Sequence, residues 1–200
     1  MNYAVFKTEN STIHLIHSCP DEAEKLLKKY GNHPGFTGFF TGKSIKYKLQ
    51  QALKIELSEQ LNLSRLLSYL PDGKPVLADG RYISISHTGF NVGIALSEKT
   101  PVGLDIQIPG NKVMRILDKF ASDQEKKSID SLEKAVFLWT AKEAVYKAAG
   151  IRGLSFKSIR IMFENGLPAT ATVFRENLKT RYVLTSKNTG GLAMVLAEKS

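Results

Sequence analysis

Residues Trp139–Gly150, WTAKEAVYKAAG, constrain this chain more tightly than any other stretch. Laid on a helix at about 100° per residue, Phe137, Leu138, Ala141, Ala144, Val145 and Ala148 fall within one apolar arc. Trp139, Lys142, Glu143, Tyr146 and Lys147 fall on the opposite arc. The alanines allow such a helix to approach a sheet closely. Glu143 and Lys147, four residues apart, stack on one face. Taken alone, that pair reads as solvated surface structure of small worth. Trp139 among the charges asks for a partner surface or a cleft, and it reads better as packing the helix than as lining a site.

The remaining elements follow from alternation and from start and stop signals. Residues 3–7 and 12–17 alternate and predict strands. Pro20, Asp21 and Glu22 open a helix over 20–30 that Gly31 ends. HPGFTGFFTG, 33–42, reads as a loop, and a second helix is expected over 43–60. Its first turns carry Lys43, Lys46 and Lys48, which read either as a solvated basic face or as a phosphate-binding patch. Pro71–Pro75 is a turn. Strands are predicted at Tyr82–Ser86, Asn91–Ser97 and Val102–Gln107, with HTGFN, 87–91, as a hairpin loop. In the third strand Asp105 and Gln107 leave the sheet on one face. Ser122-x-x-Glu125 is a capping box, and Asp130 with Glu133 caps the long helix that closes on Gly150. Strands follow at Ser158–Phe163, Ala169–Phe174, Arg181–Thr185 and Leu192–Ala197, with Asn165-Gly166 and Gly190-Gly191 as bends.

Composition narrows the function classes. The 200 residues suit one large domain or two small ones, and a net charge of +9 favours phosphates, nucleic acids, anionic membranes or acidic proteins. Lys outnumbers Arg, which disfavours sequence-specific nucleic-acid reading. A single cysteine excludes an intrachain disulfide, no run is long and apolar enough to span a bilayer, and MNYAVFKTEN does not read as an export signal. A cytoplasmic protein without membrane or nucleic-acid partners is the expectation. His14, His17 and Cys19 lie close together, but their alternation fits a strand and a fourth metal ligand is missing.

Three segments then have to be taken together. The first is Gly73-Lys74-Pro75 followed by Ile83-Ser84-Ile85-Ser86-His87-Thr88-Gly89. The second is Val102-Gly103-Leu104-Asp105-Ile106-Gln107, and the third is Trp139–Gly150 with its lead-in. Each has an ordinary reading: a strand end at Ser86-His87, a polar-face residue at Asp105, a bulge at Gly103. In order and spacing, however, they resemble the 4′-phosphopantetheinyl transferase superfamily, in its Sfp-like branch. That family carries GKP with a following ISHS/TG, then VG-[IL]-D-[IV]-E, then W-x-x-K-E-x-x-x-K-x-x-G. The motifs cover residues 73–150, and the flanks match only in element order.

The resemblance implies an α+β fold of two similar α/β halves, 1–99 and 100–200, related by a pseudo-twofold with the active site in the cleft between them. It implies transfer of phosphopantetheine from coenzyme A to a serine of an apo acyl or peptidyl carrier protein, with Mg²⁺ and release of adenosine 3′,5′-bisphosphate. Breaking a pyrophosphate calls for charge neutralisation, in-line geometry and help for a weak nucleophile. Asp105 and Glu143 would hold the ion, although 38 residues separate them in sequence. Gln107 stands where many relatives carry an acid, so it would be a third metal ligand of reduced strength. Glu143 would also take the serine proton, and Lys147 would stabilise the departing phosphate. Lys142 reads either as holding charge on that face or as solvated. Ser86 and His87 match positions on the cofactor's phosphates, with His87 at the 3′-phosphate. Lys74 and Pro75 match the adenine side, and Lys46 is the candidate for a further cation at the 3′-phosphate. At this length both halves fit in one chain, so a monomer is expected. Two alternatives stay open: a non-catalytic basic module that binds nucleotides or nucleic acid, and a transferase that binds coenzyme A but no longer turns over.

Overall fold

Local signals decide where each element begins, and pairing across the chain decides where it sits. The computed structural model describes residues 1–31, 43–176 and 178–200; the loop expected over 33–42 lies outside them. The N-terminal elements are β1 (Asn2–Lys7), β2 (Ser11–His17), α1 (Pro20–Tyr30), α2 (Ile45–Gln60), β3 (Leu67–Tyr69), β4 (Pro75–Leu77), β5 (Tyr82–Thr88) and β6 (Asn91–Ser97). β1, β2, β6 and β5 form an antiparallel sheet in that order, and β3 with β4 make a small hairpin. Helix α2 starts two residues later than expected because Ser44 caps it, accepting a hydrogen bond from the Tyr47 N–H. Leu49, Leu53 and Leu57 of α2 pack with Ile16, Val92 and Ile94 of the sheet. Each such side chain is worth about 1.5–3 kcal/mol of burial.

The C-terminal elements are β7 (Val102–Gln107), α3 (Lys112–Arg115), α4 (Leu117–Phe120), α5 (Asp123–Ser128), α6 (Leu132–Ala149), β8 (Ile159–Glu164), β9 (Leu167–Arg175), β10 (Leu178–Thr189) and β11 (Leu192–Lys199). Their sheet runs β7-β11-β10-β9-β8, antiparallel throughout. The short helices α3 and α4 had no sequence signal, since four residues are too few to show a period. The cap of α6 is Ser131, not Asp130: its hydroxyl accepts from the Lys134 N–H, while Asp130 instead pairs with the Lys134 ammonium. The helix does end on Gly150, in the left-handed conformation at φ 61°.

The two sheets meet at β5 and β7 through a ladder of side chains. The hydroxyls of Ser84, Ser86 and Thr88 accept from the backbone N–H groups of Leu104, Ile106 and Ile108 at 2.8, 3.2 and 3.4 Å. Three polar residues at period two on β5 thus satisfy the edge of β7 that no strand covers. On one face of β7, Leu104 and Ile106 pack with Ile13, Leu15, Met194 and Leu196 between the sheets. On the other face, Gly103 receives α6. A Cβ there would lie 1.9 Å from the Ala144 carbonyl oxygen and 2.5 Å from the Ala148 nitrogen. Helix backbone therefore rests directly on strand backbone, and only glycine permits it.

Candidate active site

That contact sets α6 against β7 so that Glu143 and Lys147 meet the strand at Asp105. Asp105 is 3% exposed, and three donors hold it. Lys147 Nζ reaches Oδ1 at 2.7 Å, the Ser86 hydroxyl donates to the same oxygen at 2.8 Å, and Gln107 Nε2 donates to Oδ2 at 3.1 Å. Lys147 also donates to the Leu104 carbonyl at 2.9 Å. The three motifs, distant in sequence, therefore converge on one carboxylate.

Glu143 is half-buried, with no hydrogen bond or ion pair among the described residues. Burial first, and the Asp105 charge second, push its carboxyl above the usual glutamate range, against the opposing pull of Lys147. No group of three or more His, Cys, Asp or Glu side chains gathers among the described residues. Two carboxylates in electrostatic contact, one of them without a partner, still suit Mg²⁺, which takes one or two protein carboxylates and fills its shell with water and phosphate oxygens. Gln107 turns its amide nitrogen toward Asp105, so its carbonyl oxygen does not face the carboxylate it was expected to join.

Two cavities share Gly73, Pro75, Ile85 and Lys147 in their walls, and Asp105 lines the inner one while Glu143 lines neither. The inner one, about 270 Å³, is also lined by Lys54, Tyr69, Ser86, His87 and Asp105. The outer one, about 460 Å³, is lined by Lys74, Ile83, Ser84, Tyr146, Gly150 and Arg152 among others. Lys74 reaches across to α6, with its Nζ 2.8 Å from where a Gly150 Cβ would stand. His87 is pushed down to about 4, by burial first and then by the Lys54 and Lys147 charges, so it is a neutral imidazole at pH 7. Lys54 is itself lowered to about 8, by burial and then by Lys147.

The structure thus gathers Lys74, Pro75, Ser86, His87, Asp105, Gln107, Glu143 and Lys147. It leaves out Lys46, which is exposed on the first turn of α2 and lines neither cavity. Ser86 has committed its one hydrogen to Asp105 and accepts from Ile106, so here it orients the carboxylate and has none left for a phosphate. Lys142, grouped with the polar arc in the sequence, points away from the site. It is 0% exposed, and its three donors go to Glu125 Oε2 at 2.8 Å and to the Phe156 and Ile159 carbonyls at 2.9 and 2.6 Å. The polar arc is divided because α5 and β8 cover part of it. Trp139 packs edge-on against Phe120 and Phe156, with centroids 5.0 and 5.3 Å away. Lys54 and Arg152 were missed: neither belongs to a motif, and only the tertiary fold brings them to the cavities.

Residues 101–197 match the family described as the 4′-phosphopantetheinyl transferase superfamily. A Synechocystis sp. protein, slr0495, assigned by name to the 4′-phosphopantetheinyl transferases, is 36% identical over 122 residues, which cover 54% of this chain and 49% of that protein. The 4′-phosphopantetheinyl transferase AcpT of Salmonella typhi is 28% identical over 140 residues, covering 62% of this chain and 71% of the relative. AcpT of Salmonella typhimurium matches to the same extent. The chain thus spans about half the length of the first relative.

Proposed function

We propose, from the match of residues 101–197 to the 4′-phosphopantetheinyl transferase superfamily, that this chain moves the 4′-phosphopantetheine group of coenzyme A to a serine hydroxyl of an apo acyl or peptidyl carrier protein. The observation that carries the reading is the convergence of the three separated motifs on Asp105, beside a basic cavity with room for a phosphate. In the reaction the serine oxygen bonds to the phosphorus that bears the pantetheine arm. The bond from that phosphorus to the bridging oxygen breaks, and adenosine 3′,5′-bisphosphate leaves with the electron pair.

Asp105 and Glu143 are the carboxylates for a Mg²⁺, with Gln107 as the weakest member of the set. The ion, when bound, neutralises charge on the diphosphate. Glu143, whose carboxyl is pushed above the usual glutamate range by burial and by the Asp105 charge, accepts the serine proton. Lys147 offers its ammonium to the leaving phosphate, having Asp105 within reach as counter-charge. His87, neutral at pH 7, meets the 3′-phosphate with a hydrogen bond, and Lys74 and Pro75 flank the adenine in the outer cavity. Ser86 serves by fixing Asp105. A net charge of +9 favours approach by polyanionic coenzyme A and by an acidic carrier.

One sheet comes from residues 2–97 and the other from 102–199, which supports two halves divided near residue 100 and a complete site in a monomer of the Sfp-like branch. The free, exposed Cys19 fits a reducing cytoplasm, and no helix among the described residues is long and apolar enough to cross a membrane. The orientation of Gln107 favours a second reading, in which the ion is held too weakly for turnover and the chain only binds coenzyme A. One experiment separates the two. The chain is incubated with coenzyme A, Mg²⁺ and an apo carrier protein, and the carrier is weighed by mass spectrometry. A phosphopantetheine adduct that disappears with a chelator supports transfer. Coenzyme A binding without an adduct supports the second reading, and absence of both refutes the first.

A further inference from the structure

The C-terminal sheet buries one face throughout and the other only in part. Ile159, Ile161, Ala171, Val173, Tyr182 and Leu184 pack on the side of α6. Alternation turns their neighbours to the opposite face. There the N-terminal sheet covers β7 and β11, with Ile13 and Leu15 of β2 against Leu104, Met194 and Leu196. Its outermost strand, β1, reaches as far as β10, where the Lys187 ammonium lies 4.5 Å from the centre of the Phe6 ring. Beyond β1 the face is open: Met162 of β8 and Val183 of β10 are 63% and 51% exposed. Packed sheets lie about 10 Å apart, so β8, β9 and the near end of β10 form a shelf one layer below β1.

That shelf is basic. Arg160 of β8 and Arg181 of β10 are both register partners of Thr172 on β9, which sets them in one row about 10 Å apart. Phe174 and Lys179 are partners in the next row, and the Phe174 ring carries Arg160 at 4.8 Å and Lys179 at 5.6 Å. None of the three cations forms an ion pair among the described residues, and none lines either cavity of the candidate site. The wall of the shelf is a strand edge. Among the described residues β1 pairs with β2 alone, so the backbone groups of its other edge point out over the shelf with no strand to receive them.

Shape and charge together select the occupant. A planar bilayer does not reach a floor that lies one layer below its rim. A nucleic-acid base finds no free ring to stack on, since two cations already lie over Phe174. A second copy of β1 would bring Asn2, Ala4 and Phe6 toward the shelf, with no acid to answer its cations. An extended acidic chain satisfies both features, because a strand added to β1 would lie over β9 as β2 lies over β11. We propose that β1 and this shelf take an extended, acidic segment of a partner protein by strand addition, its backbone pairing with β1 and its alternate carboxylates meeting Arg160, Lys179 and Arg181. This surface is separate from the transferase site and stands or falls without it.

The full chain is titrated by fluorescence anisotropy with a labelled peptide that alternates glutamate with valine over the length of β1. Two further probes are the same peptide with its backbone nitrogens methylated, which keeps the charges and removes the donors, and a lysine–valine counterpart. Only the unmodified acidic peptide is expected to bind, and it should slow hydrogen exchange at β1 amides. Its affinity should fall roughly 10-fold or more in Arg160→Glu/Arg181→Glu, while coenzyme A affinity stays as in wild type. Lys179→Glu, at an exposed position, should weaken the peptide as well and gives an independent reading if the double variant melts early. Absence of binding overturns the proposal, as does equal affinity for the methylated peptide or equal affinity in wild type and Lys179→Glu. Binding to phosphatidylglycerol vesicles in place of the peptide assigns the shelf to a bilayer and overturns it too. So does dimerisation in ultracentrifugation that the charge reversals abolish.

Discussion

Replacing Gly103 with alanine tests whether the contact between α6 and β7 builds the site. The added Cβ would lie 1.9 Å from the Ala144 carbonyl oxygen, whereas Cβ atoms essentially never come within 3.0 Å of such a neighbour. Helix and strand must therefore separate by about 1 Å or more, because backbone cannot rotate away as a side chain does. Overpacking of this kind costs about 1–3 kcal/mol, and a backbone clash belongs at the upper end. For a chain of 200 residues, 3 kcal/mol lowers the melting temperature by roughly 6–12 °C. The same displacement moves Glu143 and Lys147 away from Asp105, and a 1 Å misplacement of reacting groups costs on the order of 100-fold in rate. Gly93→Ala is the control: its Cβ would meet the Leu104 Cδ2 at 2.9 Å, the end of a flexible side chain. Scanning calorimetry and the carrier-protein assay read both effects. Gly103→Ala with wild-type melting and wild-type transfer would refute the reasoning.

Other perturbations address separate parts of the account. Lys142→Met leaves the Glu125 carboxylate without its ammonium partner in the interior, so stability should fall by about 3–5 kcal/mol in urea titration; a loss below 1 kcal/mol would mean that the pair is dispensable. The Glu143 carboxyl should titrate above the ordinary glutamate value of 4.5 by carbon NMR. Because the Asp105 charge raises it, Asp105→Asn should lower it, and an unchanged or higher value would contradict the coupling.

Much of the architecture was written in local pattern. Alternation gave β1, β2, β5, β6 and β7 but not the three-residue strands β3 and β4, and Gly150, Asn165-Gly166 and Gly190-Gly191 ended elements where their positive φ values require. Asp105 and Glu143 were legible only through motif spacing, since no periodicity shows that a strand and a helix 38 residues apart share a site. Three things escaped for physical reasons. Lys142, read either as holding charge beside Glu143 or as solvated, does neither, because its partner Glu125 sits 17 residues earlier on another helix. The hydroxyl ladder of Ser84, Ser86 and Thr88 was hidden because single serines and threonines in a strand carry no sign of which edge they face. Lys54 was passed over for Lys46 because both lie in a lysine-rich helix, and only the hydrogen bond from Gln50 to Gly89 shows which end of that helix turns inward.

Divalent-ion binding tests the centre of the account without relying on turnover. Mn²⁺ is titrated into the chain in the presence of coenzyme A, and bound ion is counted by electron paramagnetic resonance. One ion per chain is expected for wild type, and its loss in both Asp105→Asn and Glu143→Gln, with unchanged circular dichroism. Undiminished Mn²⁺ binding in either variant would contradict the claim that these two carboxylates share one cation.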